Sequence, residues 1–344
     1  MSPTGYTRED LELAVVAAAR APVPEQSQPW LRLHGGAIDV LVSPPRASPA
    51  GAHAGWWAAR IGGGAGLFNV RLALRQLGRP ALVRLRPYRD EPDLLARLHP
   101  GPAQPPGPTE RELFAALPLC RVDAGPVVPT PVPPEVRRRL IDAARTEHGW
   151  LELIVGHAAV AAFSEIEASA GRVLDRARTD PVRWRTAAPP FDGSFHLPCD
   201  VPAGRGDRAG TADEPAQRSD QGAGQEPDQE PVVAVLGSPA DGPGAQLRAG
   251  QALQRVLLTA AAAGLTTCLH SQVMAVPAAR EQLRLALGRF GRPQMVLRIG
   301  HRPAHRGTPP AVADPNRTSR EDGSKVPAAS GPSALPRPVV HGVE

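Results

Sequence analysis

The stretch Cys268-Leu269-His270-Ser271-Gln272 puts a thiol, an imidazole, a hydroxyl and an amide within one short run, and APVPEQSQPW, Ala21 to Trp30, sets Gln26 and Gln28 among prolines. Amides and hydroxyls both donate and accept hydrogen bonds, and imidazole changes its charge near neutral pH. Side chains of this kind hold polar ligands and move protons. Each also has a plainer reading. A lone histidine is more often a surface or core residue, Cys268 in an apolar strand reads as a buried and inert thiol, and the proline-rich loop is equally a connection whose Trp30 caps the core.

Other chemistries are excluded by spacing. The run Gly62-Gly63-Gly64-Ala65-Gly66 is rich in glycine but lacks the GxGxxG spacing and a preceding strand, so it is no dinucleotide cradle. There is no Walker A loop and no HExxH. His301 and His305 stand four apart, but Pro303 between them argues against the helix that would bring them to one metal. The three cysteines, Cys120, Cys199 and Cys268, have no CxxC spacing, and no Ser-His-Asp or Cys-His arrangement has a local signature. An odd number of widely spaced thiols points to a reducing compartment.

The net charge is +5, yet the basic residues are arginines scattered among acids, with Lys325 the only lysine. A nucleic-acid footprint would be a stripe or patch with interleaved aromatics, so no nucleic acid is expected as partner. The N-terminus lacks a basic segment followed by an apolar one, and no window reaches the roughly 18 apolar residues needed to span a bilayer. A soluble cytoplasmic protein without a membrane partner is expected.

What must position these residues is an internal repeat. GAGLFNVRLALRQLG (64–78) and GQALQRVLLTAAAAG (250–264) align without gaps, with Leu67/Leu253, Val70/Val256 and Leu72/Leu258 in register. Each reads as an amphipathic helix that begins at a glycine, stops at a C′ glycine and leads into a short strand, PALVRLRP or LTTCLHS. Upstream of each lie a helix and a Trp-led strand, Trp30-Leu31-Arg32-Leu33 and Trp150-Leu151-Glu152-Leu153. Two similar halves, 8–116 and 117–305, follow. PVVAVLGS and PQMVLRIG read as strands and VPAAREQLRLALG as a helix. Residues 199–230 and the tail 306–344 are poor in apolar residues and rich in Gly, Pro, Asp and Gln, and they are expected to be disordered.

QPW at 28–30, GAGLFNVRLALRQLG, LRAGQALQRVLLTAAAAGL and GRPQMVLRIGHRP, in this order, resemble the Acg-type nitroreductase-like flavoproteins. The resemblance implies an α+β fold of two fused halves, each an antiparallel-rich mixed sheet wrapped by helices, in a monomer that resembles a fused dimer. It implies FMN as cofactor, either in a reductase with NAD(P)H as possible reductant and a quinone or nitro compound as acceptor, or in a protein that sequesters FMN under a lid. In that family the first loop reads like Ala-Pro-Ser-x-x-Asn-x-Gln-Pro-Trp, which here keeps Ala21, Pro22, Gln28, Pro29 and Trp30 but has Val23 for serine and Gln26 for asparagine. Ser-Phe-Leu-Asn-Gln corresponds to 268–272, so His270, Ser271 and Gln272 are implied to face the flavin. The phosphate motif Arg-Arg-x-Thr-x-Arg falls on 119–124, where only Arg121 remains, beside Asp123; Arg121 or Arg248 is left to recover part of that contact, with His301, Arg302 and Arg306 after the final strand as partial substitutes. The altered motif keeps open an alternative, a flavin-free descendant with a scaffolding or interaction role.

Overall fold

The structure is a computed structural model and describes residues 5–24, 29–43, 52–122, 131–177, 184–186 and 232–301. All of these belong to one compact unit, Met1–Pro303. The segments expected to be disordered, 199–230 and 306–344, lie outside the described residues.

In the first part of the chain, α1 (Arg8–Ala18) begins at a capping box. The Thr7 hydroxyl accepts from the Asp10 N–H and the Asp10 carboxylate accepts from the Thr7 N–H at 2.6 Å, so two orphan donors of the helix start are satisfied. After β1 (Pro22–Pro24), the alternating run after Trp30 folds as a hairpin of β2 (Pro29–His34) and β3 (Ala37–Val42). Its turn residues Gly35 and Gly36 both have positive φ, 57° and 73°, the twist that suits a two-residue turn. Then come α2 (Ala52–Gln76), β4 (Ala81–Leu85), β5 (Leu94–Pro100) and α3 (Pro108–Ala116).

The second part runs α4 (Pro134–Thr146), β6 (Trp150–Ile154), α5 (His157–Arg176), β7 (Trp184–Thr186), β8 (Val232–Ser238), α6 (Pro243–Ala262), β9 (Thr266–His270), α7 (Gln272–Ala275), α8 (Pro277–Ala286) and β10 (Arg292–Gly300). Two four-stranded sheets result, ordered β2-β3-β5-β4 and β6-β8-β10-β9. Matched by their place along the chain, the two orders are the same, with α2 and α6 in corresponding positions. Every ladder is antiparallel, and an isolated parallel bridge joins Val122 to Thr267 on β9. The short β1–β7 pair ties the segment after α5 back to the start of the 21–30 loop.

Helices α2 and α6 cross at Gly64 and Gly250. A Cβ on Gly64 would lie 2.3 Å from the Leu247 carbonyl oxygen, and one on Gly250 would lie 2.2 Å from that of Ile61. The two contacts are mirror images in the repeat's own register, since Ile61 aligns with Leu247 and Gly64 with Gly250. Arg60 and Gln246, also aligned, meet directly through an Nη1 to Oε1 hydrogen bond of 3.2 Å. This self-complementary pattern is the one a two-fold axis imposes. The expectation that both helices start at these glycines is corrected: α2 begins twelve residues earlier, at Ala52, and α6 at Pro243. A glycine at a helix crossing lets two backbones touch, and in sequence it looks the same as a glycine at a helix start. The stops hold as read, with Gly78 at φ 70° and Gly264 at φ 73°.

Trp30 was expected to cap the core, but it sits on edge strand β2 and is 46% exposed. Trp150, its counterpart, packs its ring so tightly over Gly237 that a Cβ there would come within 2.0 Å of it.

In the first sheet, Asp39 is fully buried between Arg97, whose Nε and Nη2 both donate to it, and Arg32. Burial pushes the carboxyl up, but the hydrogen bonds and charges of Arg97 and Arg32 together hold it below its ordinary value. A carboxyl depressed in the folded state stabilises above its unfolded pKa, about 4, and that contribution is lost as the pH falls through the lower folded value. Asp39→Asn should therefore melt lower at pH 7 and lose less stability than wild type between pH 4 and pH 2. Parallel acid limbs in the two melting profiles would contradict this.

Candidate functional site

The candidate residues at 270–272 stand where β9 ends and α7 begins. Cys268 is opposite Arg298 and His270 opposite Val296 in the β9–β10 ladder, so Cys268, His270 and Arg298 share the face of the sheet that carries α5. On that face Glu167 of α5 accepts a hydrogen bond from His270 Nδ1 at 2.5 Å, with both side chains three-quarters buried. The hydrogen bond from His270 holds the Glu167 carboxyl below its ordinary range against its burial, and the charges of His270 and Arg298 act in the same direction. A carboxylate can only accept, so it fixes the imidazole with Nδ1 protonated and leaves Nε2 as the second exchangeable position. Glu167 was not singled out from the sequence; it lies 103 residues from its partner and belongs to no motif.

Ser271 is the buried N-cap residue of α7, and Gln272 is half-buried in its first turn, with its amide oxygen 3.6 Å from where a Cβ on Gly171 of α5 would stand. The Val122 bridge brings Arg121 beside β9, and its side chain is exposed. This sets Arg121 on the same strand neighbourhood as 268–272. Arg248 is exposed on the first turns of α6, its Nη1 near Gly244, and no described contact joins it to that cluster.

Gln26 and Gln28 lie outside the described residues, but both ends of their loop are fixed. Pro24 packs into the gap left by Gly62 on α2, where a Cβ would fall 2.8 Å from its ring, and Pro29 packs over Gly66 one turn on, where a Cβ would fall 3.1 Å from its ring. Asn69, on the same flank, donates to the Ala17 carbonyl at 3.0 Å and ties α1 to α2. The loop thus leaves and rejoins α2 on one side of the helix.

Of the stretch 119–121, Leu119 is 64% exposed while Cys120 is buried in the main core, and its burial pushes the thiol up to about 12. That value makes Cys120 an unreactive thiol at neutral pH. Cys268 is buried as well. Among the described residues no group of three or more His, Cys, Asp or Glu is placed to hold a metal, and no helix is long and apolar enough to cross a membrane.

The family model "Nitroreductase family" matches residues 127–301, just over half of the chain. The chain belongs to the nitroreductase family. Its α+β architecture of helices and antiparallel sheets is that of a nitroreductase-like fold. This nitroreductase-family chain is 28% identical, over 91% of its own length and 95% of the other, to the acg protein of Mycobacterium tuberculosis, whose name provisionally gives it as an NAD(P)H nitroreductase. A second protein of that organism with a similarly provisional name is 28% identical over 86% of each chain. The FMN-dependent nitroreductase NfnB of Mycobacterium smegmatis, solved in complex with NADPH, aligns with TM-score 0.33 and 16% identity over 56% of this chain and 87% of its own.

Proposed function

We propose that this chain is a nitroreductase-type oxidoreductase that folds as two fused halves, 8–116 and 117–305, and holds one FMN between the 21–30 loop and the β9–α7 junction. The observation that carries the reading is the self-complementary α2–α6 crossing between two sheets of identical strand order, which supports a two-fold interface made inside one chain. When bound, FMN supplies the electron chemistry, taking hydride from NAD(P)H and passing electrons to a quinone or nitro compound. The protein's part is placement. Ser271, Gln272, Gln26 and Gln28 offer mixed donors and acceptors, which suit the alternating pyrimidine edge of isoalloxazine. His270, steadied by Glu167, can hold a proton at Nε2 for a reduced acceptor.

The phosphate end fits less well. Leu119 and Cys120 stand where arginines are expected, and Cys120 is committed to the core. This favours weak FMN binding and gives the second reading, a flavin-free descendant, its specific support. The two separate on titration of the apo-protein with FMN by fluorescence quenching. Leu119→Arg restores a guanidinium at an exposed position and should tighten binding about tenfold or more, since one charge-assisted hydrogen bond contributes about 1.5 to 3 kcal/mol. Gln28→Ala should weaken it. No binding by wild type or by Leu119→Arg would leave the flavin-free reading standing, and tight binding indifferent to both changes would mean the flavin sits elsewhere.

A further inference from the structure

Most buried or half-buried arginines here meet a carboxylate: Arg71 and Arg255 meet Glu147, Arg75 meets Glu110, Arg79 meets Asp10 and Arg97 meets Asp39. Arg60 and Arg86 are different. Leu95 ties their backbones to one place: its Cδ1 fills the gap at Gly63, the turn after Arg60, and its carbonyl accepts the Arg86 N–H at 2.8 Å. Neither guanidinium has an ion-pair partner among the described residues, and the Nε of each is buried without a hydrogen bond. Arg60 is held by Gln246 through Nη1 and by the face of Trp56 at 5.0 Å, both contacts that orient a guanidinium without neutralising it. Burial lowers the basicity of Arg60, and the charge of Arg86 lowers it further, so the two fields overlap. Arg86 also has φ 46°, a left-handed conformation that a long side chain rarely adopts and that tends to be kept at sites where it serves a purpose.

Two neighbouring positive charges with no described carboxylate partner, one of them held in place by Gln246 and Trp56, call for a counter-charge from outside the chain. A carboxylate would cancel one of them. A phosphate monoester carries nearly two negative charges at neutral pH, and its oxygens match guanidinium forks two at a time. We propose that Arg60 and Arg86, with Gln246 holding Arg60 in place, form a binding site for a phosphate monoester dianion on the sheet side of α2. The site does not depend on the flavin reading. The 21–30 loop meets α2 at Gly62 and Gly66, whereas Leu95, whose carbonyl accepts the Arg86 N–H, approaches it at Gly63, on a different flank.

The test is melting and calorimetric titration of the full chain with inorganic phosphate, against chloride at equal ionic strength. Wild type should be stabilised by phosphate and should bind it; Arg60→Gln and Arg86→Gln should each bind it at least about tenfold more weakly. Without phosphate, Arg86→Gln should melt at or above wild type, because it removes a like-charge contact and no described bond. Arg86→Lys keeps the charge, loses the fork and should fall between. If Arg60→Gln does not fold, the Arg86 variants decide alone. FMN against riboflavin and NADPH against NADH then identify the source of the phosphate: the affinity ratio that collapses in Arg86→Gln marks it, and free phosphate is the source if neither collapses. A drop in melting temperature for phosphate-free Arg86→Gln, or phosphate binding equal in wild type and variants, would overturn the proposal.

Discussion

Gly250→Ala is expected to lower the stability of the chain by roughly 3 kcal/mol, and Gly64→Ala by a similar amount. Two effects compete. Alanine is the better helix former by about 1 kcal/mol in a helix interior, which would favour both substitutions. Against this, the new Cβ at 250 would stand 2.2 Å from the Ile61 carbonyl oxygen and 2.9 Å from the Gly64 Cα. Both obstacles are backbone, so no side-chain rotation relieves them; the helices must separate, and the packed interior around Ile61, Leu247 and Leu253 opens with them. The clash therefore outweighs the propensity. Gly244→Ala in the same helix is the internal control, since the nearest atom to its Cβ would be the mobile Arg248 Nη1 at 4.0 Å. It should be neutral or slightly stabilising. Thermal melting of the three variants decides the matter, and a Gly250→Ala protein as stable as Gly244→Ala would remove α2–α6 contact from its place at the centre of the fold.

How much of this was legible beforehand can be traced residue by residue. The Trp-led strands at 30 and 150, the C′ glycines at 78 and 264 and the final strand were visible because each leaves a local pattern: alternation, a glycine after a periodic run, a β-branched cluster. The repeat was visible because both copies keep the same apolar register. The crossing was legible only as a coincidence of two aligned glycines, since periodicity is one-dimensional and cannot separate a helix that starts from a helix that touches. The candidate site fared less evenly. His270, Ser271 and Gln272 stand out as candidates because they are adjacent in sequence. Glu167 does not, because α5 is an alanine-rich amphipathic helix in whose sequence the carboxylate that meets His270 is indistinguishable from the solvated Glu165 two residues before it. Arg60 and Arg86 were passed over for a related reason: in an arginine-rich chain their distinction is the carboxylate they do not meet, and only three dimensions show that.

The same contrast gives Glu147 its weight. It ends α4, its side chain 9% exposed, and accepts from Arg71 of α2 at 2.8 Å and from Arg255 of α6 at 3.1 Å. Both guanidiniums lie over the Phe68 ring, at 5.7 and 5.9 Å, and Arg71 also donates to Gln251 at 2.7 Å. One carboxylate therefore bridges two cations that share an aromatic face, cancelling one of their two charges, across the seam between the early and late parts of the chain. Removing a partner from a fully buried pair costs about 3 to 5 kcal/mol, because the charge left behind stays desolvated. Arg71 is 34% exposed and can regain some water, so the expected cost of Glu147→Ala is nearer 2 to 3 kcal/mol, or a melting temperature about 5 to 10 °C lower. Glu147→Gln preserves shape and one acceptor but not the charge, and should recover less than half of that loss. Adding Arg71→Met to Glu147→Ala should recover more, since it removes one of the two stranded cations and keeps an apolar stem against Phe68. A salt titration separates this from a surface pair: an exposed bridge fades at 1 M salt, while most of the Glu147 effect should persist. A loss under about 0.5 kcal/mol in Glu147→Ala would place the glutamate among the ordinary surface ion pairs and leave the seam held by apolar packing alone.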